Sequence, residues 1–149
     1  MTHASSPQVV SVGYEGRSVT ELIEVLRRQN VFVLVDIRLT PISRKPGLSK
    51  TALALSLRAA GIEYVHHREL GNPKANRDGY RTGDARSLAL YQRILASVSG
   101  RSALRHVTEL FDGGTVALLC FERNHEECHR HQVVEELGSL CDELRVTYA

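Results

Sequence analysis

The sequence predicts an α/β fold: a single-domain, three-layer α/β/α sandwich around a mostly parallel, Rossmann-like sheet. Strand-like and helix-like segments alternate along the 149 residues, the pattern of a parallel sheet with helices on its faces. One strand candidate, Val31 to Ile37, is almost continuously apolar and β-branched, as in a strand covered on both sides. No internal repeat or change of composition divides the chain. A content of 42% hydrophobic and 24% charged residues suits a globular domain long enough to bury a core.

The elements follow in order. Residues 1–7 are polar and read as a mobile tail, leaving 8–149 as the domain. Val9 to Val12 forms a short buried strand ending at Gly13. Ser18 with Glu21 makes a capping box, and Val19, Leu22, Ile23 and Leu26 follow at helical spacing. After the second strand, Pro41 and Pro46 mark a loop. Ser49 caps a helix through Leu53, Leu57 and Ala60, stopped by Gly61, and Ile62 to His66 is the third strand. His67 to Gly83, with three Gly, one Pro and two Asn, shows no period and reads as a long functional loop. Two helices are expected next, one carrying Leu88, Tyr91, Leu95 and Val98, the other Leu104, Val107 and Phe111. Asp112 to Gly114 turns the chain into a fourth strand, Thr115 to Phe121. A last helix is striped by Val133, Val134, Leu137, Leu140 and Cys141, and Arg145 to Tyr148 adds a fifth strand.

No apolar run approaches the roughly 20 residues of a membrane span, and the N-terminus lacks the apolar centre of a signal peptide. Three cysteines are too few and too unevenly spaced for a disulfide framework, so a reducing cytoplasm is the expected setting. Net charge is +2, but unevenly spread. Residues 44–86 hold nine Lys/Arg against four acids, while 87–149 hold six against nine. The basic middle suits an anionic partner: a small anionic or nucleotide-like ligand, or a nucleic acid backbone.

Ligands of open α/β sheets bind beyond the carboxyl ends of the strands. Those positions here carry Gly13, Tyr14, Glu15 and Arg17; Asp36 and Arg38; His66, His67 and Glu69; and Cys120 and Glu122. Cys128, His129 and Arg130 follow at the start of the last helix. The Gly13-Tyr14-Glu15-Gly16 turn suggests free N–H groups close to a ligand. Asp36 ends an apolar strand and needs a partner, for which Arg38 and Arg17 are candidates. Cys128, in the first turn of a helix and beside Arg130, is the candidate nucleophile, with Cys120 as a resolving or packed thiol. Cys141 falls on the apolar stripe and reads as structural. Metal binding is the rival reading for the same residues: Cys120, His125, Cys128 and His129 are metal-ligand types, but Cys-x₇-Cys is not a standard zinc spacing, so no cofactor is expected and a metal stays the lesser alternative.

Six motifs in order carry a resemblance. They are Gly13-Tyr14-Glu15-Gly16-Arg17, Val35-Asp36-Ile37-Arg38, Ser43-Arg44-Lys45-Pro46-Gly47, Gly61-Ile62-Glu63-Tyr64-Val65, Glu69-Leu70-Gly71, and Leu119-Cys120-Phe121-Glu122 with Cys128-His129-Arg130. Over about residues 9–140 the chain resembles the bacterial and archaeal family called domain of unknown function 488. The resemblance implies a compact intracellular α/β domain. It points to Glu15, Asp36, Arg38, Glu69, Cys120, Glu122, Cys128, His129 and Arg130, and implies no activity of its own.

Three functions stay open. One is an enzyme acting on a small anionic or nucleotide-like substrate through Cys128, Asp36, Glu15 and Glu122. Its ligand contacts are expected from Gly13, Tyr14, Arg17, Arg38, Arg44, Glu69, Cys120, His129 and Arg130. The second uses carboxylates without the thiol, on a nucleobase or sugar of a nucleic acid. The third is a non-catalytic module that binds a nucleotide or effector, or a nucleic acid.

Overall fold

The computed structural model describes residues 6–149, so most of the expected tail lies outside the described residues. Five strands, β1 (Gln8–Gly13), β2 (Val31–Asp36), β3 (Glu63–His66), β4 (Thr115–Cys120) and β5 (Arg145–Tyr148), form one sheet. Their order is β3-β2-β4-β1-β5, and every pair is parallel. The helices are α1 (Val19–Arg28), α2 (Lys50–Ala59), α3 (Lys74–Arg81), α4 (Ala85–Ala96), α5 (Val98–Leu110) and α6 (Arg130–Leu140). Among the described residues, no helix is long and apolar enough to cross a membrane.

Alternation along the strands divides the core between the two sheet faces. Val10, Val12, Leu34, Ala117 and Leu119 point to the face covered by Leu22 and Leu26 of α1 and by Leu53 and Leu57 of α2. Val9, Val33, Val35, Val116 and Leu118 point to the other, covered by Tyr80, Tyr91, Leu104, Val133 and Leu137 from α3 to α6. The chain therefore leaves β1 and β2 toward one face, and β3 and β4 toward the other. Because β4 lies between β2 and β1, its outgoing loop diverges from those of both neighbours. This divergence opens a crevice at the carboxyl edge.

Local chemistry explains most boundaries. The capping box at Ser18 is complete: its Oγ accepts from Glu21 N–H at 3.1 Å, and Glu21 Oε1 accepts from Ser18 N–H at 3.0 Å. Ser49 sits at the N-cap of α2, but its hydroxyl serves the preceding loop, donating to Ser43 carbonyl and accepting from Ser43 N–H. Val98 belongs to α5 rather than α4 and is exposed, because Ser97 caps a new helix by accepting from Gly100 N–H.

The largest correction concerns 67–83. A short 3-10 turn (Arg68–Leu70) and the helix α3 stand where a loop was expected. The buried residues of α3 are Asn76 and Tyr80, so hydrogen bonds anchor it instead of an apolar stripe. Asn76 Nδ2 donates to Asn72 Oδ1 and to Ser87 carbonyl. The Tyr80 hydroxyl donates to Gln132 Oε1 at 2.6 Å and lies 2.9 Å from His131 Nε2, latching α3 to α6.

Candidate functional site

At the carboxyl edge lies a cavity of about 420 Å³, within the usual range for small-molecule sites. The ends of β1, β2, β3 and β4 all contribute. Tyr14 follows β1; Arg38, Ile42, Arg44 and Lys45 follow β2; Asn72, Arg77 and Arg81 follow β3; Phe121, Glu122, Cys128 and His129 follow β4. Five cationic side chains thus share the wall with the acids Glu122 and Glu127. Among the described residues, Arg44, Lys45 and Arg77 have no carboxylate within salt-bridge distance.

The β2 end is closed. Asp36 is fully buried and its carboxylate has four donors. Oδ1 accepts from Arg38 N–H at 3.1 Å and Arg38 Nε at 2.9 Å; Oδ2 accepts from Arg38 Nη2 at 2.7 Å and the Tyr64 hydroxyl at 2.6 Å. Arg38 Nη1 donates to Leu48 carbonyl at 2.7 Å. Burial disfavours the guanidinium charge, but the Asp36 carboxylate outweighs it and the Arg38 pKa is raised. Burial and the same carboxylate push the Tyr64 phenol up. Arg38 is spent on this frame, where the Asp36 carboxylate offsets its charge. Its guanidinium carbon lies 5.3 Å from the Tyr14 ring centroid, and Lys45 Nζ lies 5.9 Å from it. Lys45 Nζ also donates to Tyr14 carbonyl at 3.1 Å.

The β4 end carries the reactive groups. Cys120 and Cys128 are joined through their Sγ atoms, with Cα atoms 7.2 Å apart. Cys128 borders the cavity, and Cys120 lies behind it in the core. His129 Nε2 lies 2.9 Å from the Ile37 carbonyl, which can only accept; in the neutral ring Nε2 therefore holds the proton. Nδ1 is left facing Cys128 Sγ at 3.6 Å. Burial lowers the His129 pKa to about 4, so the ring is neutral near pH 7. Glu122 is buried and lies at 3.6 Å from Cys120 Sγ through Oε2. Its Oε1 accepts from Arg81 Nε at 3.1 Å.

Arg130 holds this loop from below. It is fully buried, and its Nη2 donates to Glu122 carbonyl at 2.6 Å. Its Nε and Nη1 have no partner among the described residues. Burial lowers its pKa to about 10, which leaves it charged at neutral pH.

The cavity gathers Tyr14, Arg38, Arg44, Glu122, Cys128 and His129 from the residues singled out in the sequence. Asp36, Cys120 and Arg130 support it from behind. Glu15 is exposed and accepts from Arg123 N–H, away from the cavity. Glu69 pairs with His67 at 3.4 Å and borders a different, open groove with His106. Arg17 is no partner of Asp36; its Nη1 donates to Gly13 carbonyl at 3.0 Å and Ala149 carbonyl at 3.3 Å.

The turn after β1 also departs from expectation. Tyr14 N–H donates to Cys120 carbonyl and Glu15 N–H to Phe121 carbonyl, so these N–H groups are consumed by the β4 strand end and loop. Gly13 is required there because any Cβ would collide with the Glu122 backbone. Cys128 sits one residue before the N-cap of α6, not in its first turn, and its Sγ accepts from Arg130 N–H at 3.5 Å.

Arg77, Arg81, Asn72 and Lys45 were not singled out as site residues. The excess of base in 44–86 is the signal for Lys45, Arg77 and Arg81, while nothing in the sequence marks Asn72. Arg77 and Arg81 reach the cavity because α3 is a helix, which the absence of apolar period hid, and Asn72 lies in the link just before it.

The family model described as "Domain of unknown function DUF488" matches residues 18–137, most of the chain. The chain belongs to the DUF488 family. In this DUF488 protein the matched span includes the β2, β3 and β4 ends and the N-terminal part of α6, so it holds nearly every cavity residue. No curated protein and no solved structure matches the chain.

Proposed function

We propose that this DUF488 domain is an enzyme that binds a small oxyanionic substrate, of the phosphate-bearing class, in the carboxyl-edge cavity. The observation that carries the reading is that Arg44, Lys45 and Arg77, free of carboxylate partners among the described residues, surround the same cavity as Cys128, His129 and Glu122. Unpaired guanidinium groups around a concave site attract and orient oxyanions, since their forked donors match phosphate or carboxylate oxygens. Once the Cys120–Cys128 bond is reduced, the Cys128 thiol, the His129 imidazole with its unprotonated Nδ1 and the Glu122 carboxylate, gathered at one wall, are groups able to attack or move a proton. Phe121 and Ile42, exposed at the lip, offer an apolar surface to the rest of a nucleotide-sized ligand.

Calorimetric titration with inorganic phosphate and with nucleoside monophosphates tests the binding step. The wild-type chain is expected to bind, and Arg77→Glu to weaken binding at least tenfold. Absence of binding at low salt rejects the reading. A panel of phosphate esters then separates the two classes of function. Turnover lost in Glu122→Gln supports the enzyme, whereas ligands bound and recovered unchanged favour a non-catalytic module.

A further inference from the structure

We propose that Cys120, Cys128 and His129 form a binding site for a zinc-class divalent cation, with one coordination position open to the cavity. This deepens the enzyme reading, since only in a catalytic cavity would the open position have a substrate to meet.

Four observations converge. One ligand atom from each of the three residues, Sγ, Sγ and an imidazole nitrogen, lies within 4.8 Å of the other two, and all three residues are buried. Two thiolates and an imidazole are the donors that zinc takes in three-ligand catalytic sites, where water or substrate fills the fourth position. The His129 Nε2 bond to the Ile37 carbonyl is the outer contact that fixes a ligating histidine, turning Nδ1 toward the sulfurs. Finally, the cysteine Cα atoms are 7.2 Å apart, just past the span that disulfides usually bridge. The pair is therefore as well spaced for two thiolates sharing an ion as for a bond between them.

Cys128 and His129 border the cavity, whereas Cys120 lies behind them, so a bound cation would be reached from the cavity side. Glu122, 3.6 Å from Cys120 Sγ, is placed to accept a proton from a water held there. Loading requires the reduced pair. A dithiol reductant opens the Cys120–Cys128 bond, delivering two electrons and two protons and becoming a disulfide itself. The cation then displaces both thiol protons to solvent.

The test is titration of the full chain, reduced with a dithiol and freed of excess reductant, with Co²⁺ and then Zn²⁺. One equivalent is expected, with thiolate-to-cobalt charge-transfer and tetrahedral ligand-field absorption that zinc abolishes. Cys128→Ser and His129→Gln should each weaken the metal at least tenfold, while Cys141→Ser should not. The disulfide form of the wild-type chain controls for misfolded variants and should bind no metal. A reduced chain with native circular dichroism that takes up no cobalt overturns the site. So does uptake that the disulfide form matches. Arg77→Glu separates this proposal from the one before it, since it should lose phosphate and keep cobalt. Phosphate binding without cobalt binding rejects the metal centre alone, and the converse rejects the anion reading alone.

Discussion

Two carboxylates stand at neighbouring strand ends, Asp36 on β2 and Glu122 just after β4, and their surroundings differ completely. Asp36 is saturated by four donors, three of them from Arg38, and has no path to the cavity. Glu122 is held through Oε1 by Arg81, turns Oε2 toward Cys120, and borders the cavity. An ionisable group at a strand end is therefore not a reagent by position alone. What decides is how many of its lone pairs are already spent.

The comparison is sharpest at Asp36. Replacing it with alanine strands the buried Arg38 charge and the Tyr64 hydroxyl, so stability should fall by roughly 3–5 kcal/mol, measured by urea unfolding. Acid should find the β4 side next. Burial lowers the pKa of both His125 and His129 to about 4, below the usual 6.5. The unfolded chain then binds protons that the folded chain refuses, so stability is full above about pH 6.5 and falls progressively toward pH 4. Urea midpoints across that window should show the loss, and His125→Asn should reduce it. Tyr80→Phe removes the latch between α3 and α6 and should cost about 1–2 kcal/mol, with weaker phosphate binding because Arg77 and Arg81 ride on α3. Arg77→Ala, at the wall itself, should change stability by no more than about 0.5 kcal/mol yet still lower phosphate affinity.

Much of this fold was legible because local and global signals agreed. The capping box at Ser18, the apolar run of β2 and the alternation of elements all pointed to one parallel sheet. That Asp36 needs a partner was legible too, since a carboxylate ending an apolar strand must be hydrogen-bonded or paired, but Arg38 and Arg17 were both candidates and only the fold selects Arg38. What stayed hidden was α3, because Asn76 and Tyr80 bury hydrogen-bonding groups and leave no apolar period to detect. With α3 went Arg77 and Arg81, which form one wall of the cavity. The Gly13 turn misled for a related reason. Glycine signals close approach, and the sequence does not say whether a ligand or the chain's own Glu122 backbone approaches.

The central claim is that the unpaired cations and the Cys128 thiol serve one bound anion. Alkylation of Cys128 by iodoacetamide, in reduced, metal-free protein carrying Cys141→Ser, tests it directly when run with and without phosphate. Phosphate is expected to slow modification of Cys128 in a saturable way, and Arg77→Glu to remove the protection. Phosphate that binds yet leaves the alkylation rate of Cys128 unchanged would contradict the account, because anion and thiol would then occupy separate places.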